Sequence, residues 1–209
     1  SFLDLNFDKF LRSDLEITMQ KVSNDSYLKI FNLDSPLLKG DNSVLENEIM
    51  IDLEKENYTF SAKITSYETL GVQSSDRYQF VLPSFNFSKF YNFENLGGYL
   101  NFISSGNNNL KETNKLTSSI TNDINFISSN KFTTIGIKNN FGLFYKNLNT
   151  MGKNSDSYKN SPQSEIMSNY IFNSSFPLIK KNNMTTNTFE PKLSLRFSPH
   201  QMKNHKKTE

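Results

Sequence analysis

Asn57-Tyr58-Thr59-Phe60-Ser61-Ala62-Lys63-Ile64-Thr65-Ser66-Tyr67 alternates without a break. Successive side chains of an extended chain point to opposite faces, so Tyr58, Phe60, Ala62 and Ile64 share one side. Asn57, Thr59, Ser61, Lys63 and Thr65 share the other. The stretch predicts a strand with one apolar and one polar face. Two further stretches read the same way. Phe189, Pro191, Leu193, Leu195 and Phe197 oppose Glu190, Lys192, Ser194 and Arg196, and Ile120, Asn122, Ile124 and Phe126 oppose Thr121, Asp123 and Asn125.

No stretch shows comparable helical spacing. The alternation predicts strands over 2–11, 15–23, 26–33, 43–54, 57–69, 76–91, 96–105, 116–129, 131–146, 165–176 and 186–198. Many exceed the five or six residues of an ordinary soluble strand. They match the roughly 9 to 11 residues that a tilted strand needs to cross a bilayer. The connections after Phe31 read long at 34–42, short at 55–56, medium at 70–75, short at 92–95, long at 106–115, short near Asn130, long at 147–164 and shorter at 177–185. Long and short ends alternate, as in an up-and-down barrel with short turns on one side and longer loops on the other. By that parity 147–164 is an outside loop. The connection 12–14 is too short for its parity, so the first hairpin is either misread or tightly turned outside.

Composition fits the same picture. Only 35% of the 209 residues are hydrophobic, with 29 Asn, 27 Ser, 20 Lys and a single Ala, yet 13% are aromatic and the net charge is +2. Disorder goes with few aromatics and high net charge, so it does not account for the polarity. A barrel with a wet interior does, because half of every strand is then polar. The absence of Cys removes disulfide scaffolds, Cys-ligated zinc and thiol catalysis without choosing a compartment. No run approaches 18 apolar residues, which excludes a transmembrane helix, and the near-neutral balance gives no reason to propose nucleic acid. The start at Ser1, directly in alternating text, reads as a piece of a longer precursor. Residues 1–199 are expected to form a partial outer-membrane barrel and 200–209 a polar basic tail at a truncation point.

Several segments, in order, resemble the barrel domain of the lipopolysaccharide-assembly protein family LptD, also called the organic solvent tolerance proteins. They are Val22-Ser23-Asn24-Asp25-Ser26-Tyr27-Leu28, similar to the family's turn-then-Tyr segment between two early strands, and Arg77-Tyr78-Gln79-Phe80-Val81-Leu82-Pro83-Ser84-Phe85-Asn86-Phe87, similar to its Leu-Pro strand. Gly97-Gly98-Tyr99-Leu100-Asn101-Phe102 follows, then Phe176-Pro177-Leu178 and Thr188-Phe189-Glu190-Pro191-Lys192-Leu193, where Phe189 stands in place of the more usual Leu. The resemblance spans roughly 15–200 and departs from the better-known members in Asn and Lys richness and in lacking their Arg and Trp. It implies structural motif positions at Tyr27, Leu82, Pro83, Pro177, Glu190 and Pro191. It also implies a barrel in the outer membrane of a Gram-negative bacterium, in contact with outer-membrane lipids, that passes lipopolysaccharide through its lumen and a lateral opening. The implied partners are an LptE-like plug lipoprotein and an LptA-like periplasmic bridge. The fold class expected is all-β, an antiparallel up-and-down transmembrane β-barrel seen as an incomplete arc of about ten or eleven long strands. Rival readings are a porin or other transport barrel, and a secreted β-sandwich or adhesin.

At the level of sites, Pro83 interrupts a strand-like run, and the apolar parity slips across it from Tyr78, Phe80 and Leu82 to Phe85 and Phe87, as a one-residue bulge requires. Glu190 shares the polar parity with Lys192 and Arg196, which predicts a lumenal salt-bridged ladder. Lys63, Lys192 and Arg196 are the expected lumenal contacts to lipopolysaccharide phosphates. His200 and His205 lie in the tail without an acidic cluster, so neither a metal site nor a Ser-His-Asp arrangement is expected, and no cofactor or enzyme activity. Phe87, Phe90, Tyr91, Phe93 and Tyr99 gather around one short connection as a prospective interface girdle.

Overall fold

A computed structural model describes residues 2–31, 43–94 and 97–201. The chain is all-β. Its main sheet is antiparallel and runs β1 (Phe2–Asp4), β2 (Arg12–Thr18), β3 (Val44–Lys55), β4 (Tyr58–Thr69), β5 (Tyr78–Phe93), β6 (Gly98–Lys111), β7 (Lys115–Ser128), β9 (Lys138–Lys153), β10 (Gln163–Ser175) and β13 (Lys192–Phe197). The short β8 (Lys131–Phe132) pairs beside β9, and β11 (Leu178–Lys181) forms a separate hairpin with β12 (Thr186–Phe189). Neighbours in sequence are neighbours in space. The sheet does not close, and β1 and β13 are its edges. No helix among the described residues is long and apolar enough to cross a membrane.

The strands expected over 43–54, 57–69, 76–91, 116–129 and 165–176 form within a few residues. Three expectations for the first strands are corrected. The run 2–11 holds a strand only to Asp4, because Asn6 takes a positive φ of 47° and a turn joins Phe7 to Phe10. Residues 12–14, read as a connection, instead begin β2. Of the strand expected over 26–33, the part carrying Tyr27 is instead the helix α1 (Tyr27–Phe31). The Asn24 side chain accepts from the Ser26 amide at 3.0 Å and its carbonyl from the Tyr27 amide at 3.0 Å, which satisfies the donors of a helix start.

Connections differ too. Residues 106–111 continue β6 up to a tight turn at 112–114, and β9 runs on through 147–153, so the expected loop 106–115 is largely strand and 147–164 shortens to a connection at 154–162. Apart from Leu110, Leu148 and Met151 their residues are Gly or polar on both faces, which erases the alternation that marks a half-buried strand. The expected strand 186–198 is split at Glu190–Pro191, and the expected loop 177–185 holds a hairpin. Register is continuous through the break: Ser175 pairs with Lys192 and Leu178 with Phe189. Between them Phe176 donates to the Pro191 carbonyl at 3.0 Å, but Pro191 has no N–H to return the bond, and Pro177 has none either. The long loop expected at 34–42 lies outside the described residues, as do 32–33 of the expected strand.

One end of the sheet thus carries 19–31 and the connections 70–77, 112–114 and 154–162. The other carries 5–11, 56–57, Glu94 and Gly97, 129–137 and the β11–β12 hairpin. The only apolar cluster of buried residues, among those described, sits at the first end. There α1 lays Leu28 on Leu45 and Leu70, with Val22 against them.

Candidate functional site: the enclosed polar face

Register fixes which side chains share a face. Starting from Lys63, the pairings carry one face through Asp14, Glu48 and Asp52 on β2 and β3. On β5 to β7 it continues through Ser84, Asn86, Asn107 and Ser119, and on β9 and β10 through Thr150 and Gln163. Lys192 pairs with Ser175 and Arg196 with Ile171 on that same face, so all three cations expected to line a lumen do share one side. The opposite face carries Ile49, Ile51, Leu53, Phe60, Ala62, Phe85, Phe87, Phe102, Ile124, Leu143, Tyr170, Phe172, Leu193, Leu195 and Phe197.

The sheet is inside out by the standard of a soluble domain. On the polar face Thr65 is 0% exposed, Thr150 3%, Glu165 4% and Glu48 7%. On the apolar face of inner strands Ile49 is 46% exposed, Ile64 47% and Ile166 48%. Water-soluble sheets bury the apolar side and wet the polar one.

The apolar band is also inclined to the pairing rows. The row of Ile51 passes through Ala62, Phe85, Gly106, Ile120 and Asn149 to Ser164 of β10. On β10 and β13, however, the apolar run centres on Phe172 and Leu195. Where the row leaves the band, side-chain amides and hydroxyls replace apolar groups. Ser104 donates to Asn122 Oδ1 at 2.7 Å, Asn122 to Asn147 Oδ1 at 3.3 Å, and Ser118 to Asn108 Oδ1 at 2.5 Å.

On the enclosed face Lys63 Nζ lies 3.1 Å from Glu48 Oε2, which also accepts from Thr65 Oγ1 at 3.2 Å. Lys146 Nζ lies 3.2 Å from Asp123 Oδ2, while Asp123 Oδ1 is buried with no hydrogen-bond partner among the described residues. Lys192 is 3.3 Å from Glu190, whose carboxyl sits below the usual carboxylate range, held first by a hydrogen bond from Ser175 and then by Lys192. The pairing of Glu190 with Lys192 is present, but Arg196 does not join it.

Other expected positions play structural parts. The β4–β5 and β5–β6 registers both shift around Leu82–Pro83, where β5 carries one residue more than its neighbours, which is the bulge that the parity slip required. Tyr27 packs its ring on Phe31 at 4.8 Å. Pro177, Glu190 and Pro191 stand at the root of the β11–β12 hairpin. The prospective girdle divides by parity. Phe87, Tyr91 and Phe93 lie on the apolar face, whereas Phe90 and Tyr99 stack at 5.4 Å on the polar one. His200 lines a cavity of about 490 Å³ beside Lys146 and Phe144, and His205 lies outside the described residues.

Two features escaped sequence reading. One is the carboxylate stripe Glu46, Glu48, Asp52 and Glu54, although its period-2 spacing was in plain view. The other is the placement of Lys138 and Lys146 on the face of Arg196, which needs the registers of β9, β10 and β13. No protein-family model matches the chain, and no curated protein matches it.

Proposed function

We propose that this chain forms part of the wall of an outer-membrane β-barrel that delivers lipopolysaccharide to the outer leaflet of a Gram-negative envelope. The apolar face meets lipid and the enclosed face lines the route. The observation that carries the membrane reading is the inverted sheet, with its exposed apolar band and enclosed polar face. Between β3 and β13 the band slides from the row of Ser164 to that of Phe172. At roughly 3.3 Å per residue and 4.8 Å per strand this is a strand tilt of about 40° to the band normal, the inclination of transmembrane barrels. A β-sandwich in water gives its exposed face no reason for such a band.

Support for lipopolysaccharide as cargo comes from the ordered segments around Leu82–Pro83, Pro177 and Glu190–Pro191 and from Lys192 and Arg196 on the enclosed face. Passage needs hydrogen-bonding groups and a few cations rather than a reacting centre, and transfer ends by lateral release between strands. By the same resemblance, an LptE-like lipoprotein fills the lumen and an LptA-like bridge supplies the lipid.

The test uses the chain refolded into vesicles, with photoreactive benzoylphenylalanine at Arg196 or at Ile64, and added lipopolysaccharide. Labelling from Arg196 is expected on the inner route. Labelling confined to Ile64 would reverse the face assignment. Passage of small solutes with no labelling at Arg196 would instead establish a porin.

A further inference from the structure

The enclosed face is not uniform in charge. Its β1–β4 side carries Asp4, Asp14, Glu16, Glu46, Glu48, Asp52 and Glu54 against only Arg12 and Lys63, and both cations are already paired, with Asp14 and Glu48. The β5 stretch is uncharged on this face. The β9–β13 side carries Lys138, Lys146, Lys192 and Arg196 against Glu165, Glu190 just before β13 and, from β7, Asp123, with Lys146 paired to Asp123 and Lys192 to Glu190. The same side is also the more apolar, with Phe144, Met167 and Ile171 among the cations.

From this juxtaposition we infer that the β7–β13 wall seats a phosphate-bearing, hydroxylated membrane lipid, and that the β1–β4 wall excludes it. The inference rests on the membrane-barrel reading above and adds a side to it. Phe144 and Met167 line the cavity of about 490 Å³ with Asp123, Lys146 and Asn169, which offers an apolar floor beside a cation. Guanidinium and ammonium groups recognise phosphate by charge-assisted hydrogen bonds, and Arg196 pairs with Ile171, two residues from Asn169 on the same face. Asp123 spends one oxygen on Lys146 and leaves Oδ1 buried with no partner among the described residues, so a headgroup hydroxyl is the donor this corner lacks. A free phosphate ion would leave the apolar floor without a partner. On the far wall an anion meets carboxylates whose two cationic neighbours are already engaged, and like-charge juxtaposition repels it.

Adjacent residues on opposite faces make a clean test, because one step along the strand changes the face and little else. Benzoylphenylalanine is placed singly at Leu143, Phe144 and Met50 in the chain refolded into phosphatidylcholine vesicles containing radiolabelled phosphatidylglycerol. Leu143 reports bulk lipid, Phe144 the basic wall and Met50 the acidic wall. Strong labelling at Phe144 and little at Met50 is expected. The Lys146→Gln/Arg196→Gln pair should lower the Phe144 signal by roughly five- to tenfold, as expected for losing two partly exposed contacts to phosphate. Excess inorganic phosphate should leave it unchanged. Labelling at Leu143 with none at Phe144, or equal labelling at Phe144 and Met50, would overturn the inference and leave the membrane reading standing. Competition by inorganic phosphate would overturn the lipid assignment. No labelling at Leu143 would remove the membrane reading and the inference with it.

Discussion

Thr113 shows how a single position can hide a turn from the sequence. The β6–β7 hairpin turns at 112–114, with the Asn114 amide donating to the Lys111 carbonyl at 3.2 Å, and Glu112 and Thr113 hold φ of 49° and 58°. Hairpin turns of this hand ordinarily use Asn or Gly, and a β-branched residue in the left-handed region is strained. Thr113→Gly should therefore stabilise the folded sheet by about 1 kcal/mol, read as a higher urea midpoint in vesicles. Gly106 is the opposite case, for an added Cβ would run into the Phe85 ring that lies across it from β5. There the small residue is required by a close approach from the next strand, a demand that composition cannot show.

Among elements, α1 and the segment before it form a strap over the end of β3–β5. Arg77 gives Nη1 and Nη2 to Asp25, each at 2.8 Å, and Nε to Glu68 at 2.8 Å, and the Gly71 amide donates to Asp25 at 3.0 Å. Asp25 consequently titrates below the usual carboxylate range, chiefly through the Arg77 hydrogen bonds and then the Gly71 amide. A folded-state value below the unfolded one means that the contribution is complete above the ordinary carboxylate pKa of about 4 and is lost as pH falls through the lower folded value. Hydrogen-exchange protection of Leu28 and Ile30 should thus hold from neutral pH to about 4 and decline in stronger acid. Asp25→Asn should show the reduced protection already at neutral pH, and equal protection in this variant would refute the strap. Alternation in the sequence identified the long strands here, yet it also proposed a strand over 26–33. Local capping by Asn24 and the apolar seat for Leu28 outweighed that pattern.

For the molecule as a whole, the exposed band sets the solvent. Leu143→Arg puts a charge on the apolar face near the band centre and should cost about 2–4 kcal/mol in vesicles. Asn125→Arg, on the enclosed face of β7, should cost much less. Equal costs, measured by unfolding midpoints, would mean that the two faces see the same medium. The pairing order also bears on folding, since every main strand pairs with a neighbour in the chain, apart from the small inserts at β8 and β11–β12.

Period-2 text by itself determined that this chain is built of long two-faced strands and which residues share a face within each one, because backbone geometry alone sends alternate side chains to opposite sides. It also located the bulge at Leu82–Pro83, since proline cannot donate to a ladder and the parity slips there. Only the tertiary structure decided which face is enclosed and where β6 and β9 end among polar residues. It alone gathered Glu48 and Asp52 with Asp14 on one side of the sheet and Lys146 with Arg196 on the other. Those facts depend on register, and register is a relation between strands that no strand's own sequence contains.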